Sequence, residues 1–362
     1  MKLWAIIFFL LPLLGAGYVS WRIWQLLPFA SWIKGCVVGI VWLGLAVMVC
    51  NFIIGLDRLP LHVAQGLYEF GNSWLFVMLY LVIIFLLLDV GRLVRLVPRS
   101  FLVSSPWGTL SIFLLMSALF IYGYAHYLHK ERVKLELRSD KPMAKPVKLV
   151  MMSDLHLGYH NRRAEFAKWV DMVNQEQPDL ILIAGDIIDI SVRPLLEENF
   201  AEEFRRLQAP VYACLGNHEY YSGEPQAQQF IREAGINLLR DTAVVVKDLC
   251  IIGRDDRTNT SRKAIGKLMQ QADKSKYTIL LDHQPYHLEQ AERAGVDFQF
   301  SGHTHYGQVW PVNWVTDAIY ECAFGEHQRG KTRYYVSSGI GIWGGKFRMG
   351  TRSEYLVVTI DN

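Results

Sequence analysis

Five short segments carry residue types that bind divalent metal ions: Ser153-Asp154-Leu155-His156, Gly185-Asp186, Gly216-Asn217-His218-Glu219, His283, and Gly302-His303-Thr304-His305. Carboxylate, carboxamide and imidazole donors without a thiolate suit manganese, iron, zinc, cobalt or magnesium. A D-x-H or H-x-H pair alone is common by chance, but five such segments in one order form a strong pattern. Gathered around a divalent cation, such donors can lower the pKa of a bound water towards neutrality. The glycines before Asp186, Asn217 and His303 allow tight turns beside such a site. The five cysteines, Cys36, Cys50, Cys214, Cys250 and Cys322, are scattered without a C-x-x-C pair, which offers neither a disulfide framework nor a thiolate metal site.

Each segment follows a short apolar run. Strands are predicted at 147–152, 180–184, 211–215, 243–246, 250–252, 278–281, 334–336 and 355–360, with helices at 164–175 and 194–207. The ligand types thus fall just after strands, where open α/β sheets place their sites. The expected fold class is α/β or layered α+β over residues 147–362.

The rest of the chain is different. Up to His129 the only acidic residues are Asp57, Glu69 and Asp89. Four uncharged apolar stretches, 3–21, 36–55, 70–88 and 107–124, approach the length of about 20 residues that spans a bilayer. Trp21, Trp24, Trp32, Trp74 and Trp107 suit an interfacial belt, and Asp89 with Arg92 reads as an interfacial pair. The first stretch also fits a secretory signal, with Lys2 ahead and Gly15-Ala16-Gly17 behind. The expected organisation is a four-helix transmembrane anchor over 1–129, a linker over 130–146 and a catalytic domain over 147–362. Arg92, Arg95 and Arg99 in one short loop favour an extracytoplasmic catalytic domain on a multi-pass protein of a bacterial inner or cell membrane. A net charge of +3 and the lack of a long basic block exclude nucleic acid as the expected partner. Oligomeric state is not legible.

From residue 147 to about 360, these motifs, with the extended Gly302-His303-Thr304-His305-Tyr306-Gly307-Gln308 segment, resemble the calcineurin-like metallophosphoesterase superfamily. The branch it looks like contains bacterial membrane-associated phosphodiesterases of the YaeI and YkuE kind. The resemblance implies a four-layer αββα sandwich of two mixed sheets with two divalent metal ions, manganese first among the candidates. It implies that Asp154, His156 and His305 hold one ion, that Asn217, His283 and His303 hold the other, and that Asp186 bridges them. It leaves His218 as the catalytic residue facing the substrate. The expected activity is hydrolysis of a phosphodiester, phosphomonoester or pyrophosphate, with a lipid-linked phosphoester as one substrate class. The alternative is a membrane sensor or scaffold that uses the fold for binding only. Trp343, Lys346 and Arg348, in a glycine-rich loop that the resemblance puts near the site, are expected in the substrate pocket. His160, His287 and His327 match no motif and read as surface or supporting residues. Roles for Glu219 and Gln308 stay open.

Overall fold

The computed structural model describes residues 3–362, with side chains described from Leu10 onward. The chain forms two compact units, Met1–Tyr124 with Gly344–Lys346, and Ala125–Trp343 with Phe347–Asn362.

The first unit is helical: α1 (Leu3–Leu26), α2 (Ser31–Ile53), α3 (Leu61–Leu93), the short α4 (Arg99–Leu102) and most of α5 (Pro106–Leu128). Helices α2, α3 and α5 are long and apolar enough to cross a membrane, with mean hydropathies of 2.4, 2.5 and 1.6. Among the described residues there are therefore three candidate spans where four were expected. The stretch read as a first span lies on α1, and the side chains of residues 3–9 fall outside the described residues. Two local expectations change. Trp74 is buried among Ala16, Leu45 and Met78 rather than set in an interfacial belt. Asp89 pairs not with Arg92 but with the buried Arg22, and also accepts from the Tyr18 hydroxyl at 2.6 Å. In an apolar helical unit, an ion pair that also satisfies a phenol is far less costly than either charge alone.

In the second unit the chain order is β1 (Lys130–Arg138), β2 (Val147–Met152), α6 (Arg163–Gln175), β3 (Leu180–Ala184), α7 (Arg193–Glu197), α8 (Phe200–Arg205), β4 (Val211–Cys214), α9 (Asn217–Tyr221), α10 (Glu224–Glu233) and β5 (Asn237–Leu238). It continues through β6 (Thr242–Val246), β7 (Leu249–Gly253), α11 (Ile265–Gln271), β8 (Tyr277–Leu281), α12 (Glu289–Ala294), β9 (Phe298–Ser301), a 3₁₀ turn (His305–Gly307), α13 (Val312–Ile319), β10 (Gly325–Arg329), β11 (Thr332–Val336) and β12 (Ser353–Asp361). Two mixed six-stranded sheets result, ordered β1-β12-β2-β3-β4-β5 and β10-β11-β9-β8-β7-β6.

Alternation along the strands explains the layering. Leu149, Met151, Leu180 and Leu182 of one sheet meet Leu249, Ile251, Ile279 and Leu281 of the other in one apolar core. The opposite face of the first sheet, with Val150, Met152, Ile181 and Ile183, packs on Phe166, Trp169, Phe204 and Phe230 from α6, α8 and α10. On the far side, Cys250, Ile252 and Leu280 are covered by Ile265, Leu268 and Ala291 from α11 and α12. This is the expected αββα sandwich.

Two elements differ from the sequence reading. The helix expected at 194–207 is broken into α7 and α8 by Asn199, whose φ of 53° lies in the left-handed region that asparagine tolerates. Residues 130–138, read as part of a linker, form β1, paired in parallel with β12 from Lys130↔Ser353 to Arg138↔Asp361. Charged residues alternate with Val133, Leu135 and Leu137 there, as an edge strand with one buried face requires. Leu137 is 1% exposed in the core between the sheets. Leu137→Ala should therefore lower stability by about 2–3 kcal/mol, read as a shift in the urea midpoint of the second unit's unfolding. An unshifted midpoint would show that β1 is dispensable to the sandwich.

Candidate metal centre

The strands point their C-terminal ends at one place. Asp154 and His156 follow β2, Asp186 follows β3, Asn217 and His218 follow β4, His283 follows β8, and His303 and His305 follow β9. Each of these five strands runs parallel to at least one neighbour in its sheet, so the turns at their ends converge on one edge of the sandwich. The turns are tight. Asp154, His156, Asp186, His303 and His305 have φ values of 54°, 44°, 52°, 71° and 47°. Such conformations cost on the order of 1–3 kcal/mol each for non-glycine residues and persist where the surroundings enforce them. Gly216 is fixed by crowding, since a Cβ there would sit 2.1 Å from Asp186 Oδ1.

Among the described residues three groups of donors form, one of them His156 with Asp189 and His218, and the other two are triads of expected ligands. Asp154, His156 and His305 offer ligand atoms within 4.8 Å of one another, and so do Asp186, His283 and His303. Asp186 links them: its Oδ2 lies 3.0 Å from His283 Nε2 and 3.6 Å from His156 Nε2. His156 Nε2 faces His305 Nε2 at 3.0 Å, and His305 Nε2 lies 3.5 Å from Asp154 Oδ1. The remaining candidate ligand, Asn217, is buried, and its Oδ1 has no hydrogen-bond partner among the described residues.

Tautomers are set from outside the triads. His283 Nδ1 donates to the Ala184 carbonyl at 2.7 Å, and His156 Nδ1 donates to Asp189 Oδ1 at 3.1 Å. In both rings the Nε2 lone pair is thereby turned inward, as a metal ligand requires. Backbone amides steady the carboxylates, His218 N on Asp186 Oδ1 and His303 N on Asp154 Oδ1, both at 2.9 Å.

Electrostatics follow from burial and from these neighbours. Burial works to raise the Asp186 carboxyl, but the charges of His283 and His218 hold it well below the usual carboxylate range. Burial raises Asp154, and the charge of Asp186 adds to that. Burial, with the charge of His283, pushes His303 down to about 3, while burial with His156 and Arg348 keeps His305 far below an ordinary histidine. His303 and His305 are thus held neutral, whereas against the effect of burial the Asp186 carboxylate holds His283 well above an ordinary histidine and the Asp189 hydrogen bond raises His156. His283 Nε2 and Asn217 Oδ1 are buried without a hydrogen-bond partner among the described residues. This donor set fits divalent cations of borderline or hard character.

His218 lies beside this set. Its ring is 4.5 Å from that of His156, and its Nδ1 donates to the Asp189 carbonyl at 2.8 Å. Asp189, fully buried, is the residue the sequence reading missed. It receives His156 on Oδ1, and His160 Nδ1 lies 3.6 Å from its Oδ2. The available signal was a second acid three residues after Asp186 in the same loop. His160, read above as a surface or supporting residue, is fully buried, with Nε2 2.6 Å from the Ile342 carbonyl. His287 and His327 lie elsewhere, paired with Glu289 and Glu321.

Two buried ions act on the main chain. Glu219 accepts from the amides of Gly216, Asp186 and Ile188 at 2.7, 3.0 and 2.9 Å, which pins the β3 turn to the β4 turn. Burial lifts its carboxyl to about 7, with Asp186 adding and the amides opposing. Arg348 does not line a substrate pocket as expected, because it is wholly buried. Its guanidinium donates to the carbonyls of His305, Ser338 and Gly341 at 2.8, 2.5 and 3.0 Å. Gly341 N in turn donates to the Asp154 carbonyl at 3.0 Å. Arg348 therefore ties the His305 turn to the segment that backs Asp154. Of its former companions, Trp343 and Lys346 are half-buried.

Residues 147–307 match the family described as calcineurin-like phosphoesterase. An uncharacterized metallophosphoesterase of Aquifex aeolicus is 31% identical over 259 residues, spanning 67% of this chain and 97% of that protein. The uncharacterized metallophosphoesterase YkuE of Bacillus subtilis is 27% identical over 66% of this chain and 89% of its own length. A Danio rerio protein named as a transmembrane protein with a metallophosphoesterase domain is 30% identical over 58% of this chain and 52% of its own length.

The Arg348 contacts predict a selective loss. Arg348→Ala should weaken metal retention at the Asp154, His156 and His305 triad while α6 to α12 stay folded, lowering the metal content per chain measured by elemental mass spectrometry. Arg348→Lys should restore part of it. Unchanged metal content in a folded Arg348→Ala protein would separate Arg348 from the site.

Proposed function

This chain belongs to the calcineurin-like metallophosphoesterase family, and from that premise we propose that it is a dinuclear hydrolase of phosphoesters at a membrane. Asp154, His156 and His305 hold one divalent cation, Asn217, His283 and His303 the other, and Asp186 is shared. The observation that carries this reading is the position of one carboxylate oxygen, Asp186 Oδ2, within 3.6 Å of an imidazole nitrogen from each triad. When bound, the two cations activate water and neutralise phosphoryl charge. Manganese is the first candidate, with iron, zinc, cobalt and magnesium as chemically compatible ions.

The chain's own groups supply the remainder. Asp189 fixes His218 through its main-chain carbonyl, so the variable proton of the imidazole is carried at Nε2. There it delivers a proton to the leaving oxygen or stabilises charge on the phosphoryl group. Burial keeps His218 below the ordinary histidine value, and Asp186 opposes that shift. Asp189 also aligns His156, so one buried acid orients a metal ligand and the proton donor together.

Residues 1–129 serve as the anchor, through α2, α3 and α5 with α1 as a fourth span, and the second unit faces the outside of a bacterial cell membrane. Arg92, Arg95 and Arg99 clustered in one short connection support that orientation. Anchoring raises the effective concentration of lipid-linked phosphoesters, which makes these the favoured substrate class.

The purified chain in detergent should hydrolyse bis(p-nitrophenyl) phosphate after manganese loading and lose that activity with a chelator. His218→Ala should reduce kcat by about 10²–10⁴-fold with its metals retained, whereas Asp186→Asn should lose metal as well as turnover. A wild-type protein that holds two metals and turns over no phosphoester would leave a binding-only scaffold as the function. Loss of metal from His218→Ala would make His218 a ligand instead.

A further inference from the structure

Helix α13 is amphipathic in the reverse sense for a soluble surface. In its sequence VNWVTDAI, Trp314, Val315, Ala318 and Ile319 share one arc, and Asn313, Thr316 and Asp317 share the other. A water-facing helix buries its apolar arc. Here Trp314, Val315 and Ile319 are 62%, 55% and 56% exposed, while Asn313 and Thr316 are half-buried. The Asn313 Oδ1 is shielded from solvent, and a Cβ at Gly307 would come within 2.4 Å of Asn313 N, so the Asn313 side of the helix is packed against the 3₁₀ turn, while Asp317 of the same arc stays exposed and accepts from the Tyr306 hydroxyl at 3.4 Å. The neighbouring Trp310 ring meets Trp314 edge-on at 5.4 Å. The same turn carries His305 and follows His303, so whatever covers this face adjoins the metal centre.

We infer that the exposed arc of α13 inserts into the head-group region of a lipid bilayer and presents the His303–His305 turn to phosphoesters at the lipid surface. The second clause rests on the hydrolase reading above. The composition selects the occupant. Tryptophan beside aliphatic side chains is the pattern of an interfacial anchor. The exposed large apolar side chains of this face are four, Trp310, Trp314, Val315 and Ile319, whereas a stable protein interface takes roughly 20–30 residues a side. Among the described residues three helices are long and apolar enough to cross a membrane, and one residue, His129, separates α5 from β1. A tether of that kind gives each exposed face of the second unit a high effective concentration of lipid, so that a weak insertion is populated.

The test uses the full chain in phosphatidylcholine–phosphatidylglycerol nanodiscs. Cys36 and Cys50, the two exposed cysteines, are replaced by alanine, and Ile319→Cys or, as a control on exposed α11, Lys267→Cys carries an environment-sensitive fluorophore. Blue-shifted emission and quenching by doxyl lipids at 319 but not at 267 are expected. Water-like, unquenched emission at 319 overturns the proposal, and if that comes with two chains per disc, a second copy is the occupant. Trp314→Ser with Ile319→Ser should lower kcat/KM for a phosphatidylglycerol phosphate in vesicles by about tenfold and leave turnover of soluble bis(p-nitrophenyl) phosphate unchanged. Equal loss on both substrates also overturns it. Lipid quenching at 319 in a protein that hydrolyses neither compound supports insertion and sinks the hydrolase reading instead.

Discussion

A carboxylate buried away from water must be matched by positive charge or by hydrogen-bond donors, and the second unit is organised around that demand at Asp186. It is 1% exposed, it stands close to the equally buried Asp154, and the protein supplies it with backbone amide and imidazole neighbours instead of a lysine or arginine. An arginine there would quench the site, because a permanent cation would occupy the space a metal needs. Imidazoles with their Nδ1 protons committed elsewhere leave the inner surface rich in lone pairs. The two sheets exist, in this sense, to bring five strand ends within a few ångströms of one carboxylate.

Holding those ends takes buried ionisable groups of a second kind. Glu219 and Arg348 are buried ions of opposite sign that spend their charge on the main chain, Glu219 on amides and Arg348 on carbonyls. Hydrogen bonds to charged groups contribute about 1.5–3 kcal/mol each, which offsets the desolvation of the ion and the left-handed backbone at five ligand positions. Strained turns and buried ions belong to one design: the turns aim the side chains, and the ions keep the turns from relaxing.

Much of this was legible in the chain. The seven candidate ligands and His218 announce themselves by type, order and position after apolar runs, and the structure gathers them at one edge. The apolar runs at 147–152 and 250–252 disclosed the strands, and the two faces that their alternate residues bury became visible only in the structure. What escaped reading depends on distant partners. Arg348 looked like a pocket residue because nothing local says that it reaches carbonyls at 305, 338 and 341. β1 looked like a linker because its alternation is diluted by charge and its partner is β12. Trp74 looked interfacial because helical packing, not hydropathy, decides which tryptophan is covered. Asp189 was the exception, since its spacing from Asp186 was visible and simply unused.

The pairing of β1 with β12 also governs how the unit is made. β12 lies between β1 and β2, so a strand near residue 355 must enter between one near 134 and one near 150. Contacts of such sequence separation are slow to form, because a long loop must close before any pairing offsets its entropy. Until then β1 is an open edge just after a greasy helix, and the segment from Ser338 to Gly341 that backs Asp154 has no fixed place. Every candidate ligand, from Asp154 to His305, lies before β12 in the chain, so the strand that closes the sheet carries none of the donors and acts on the metal cradle only through the sheet it completes.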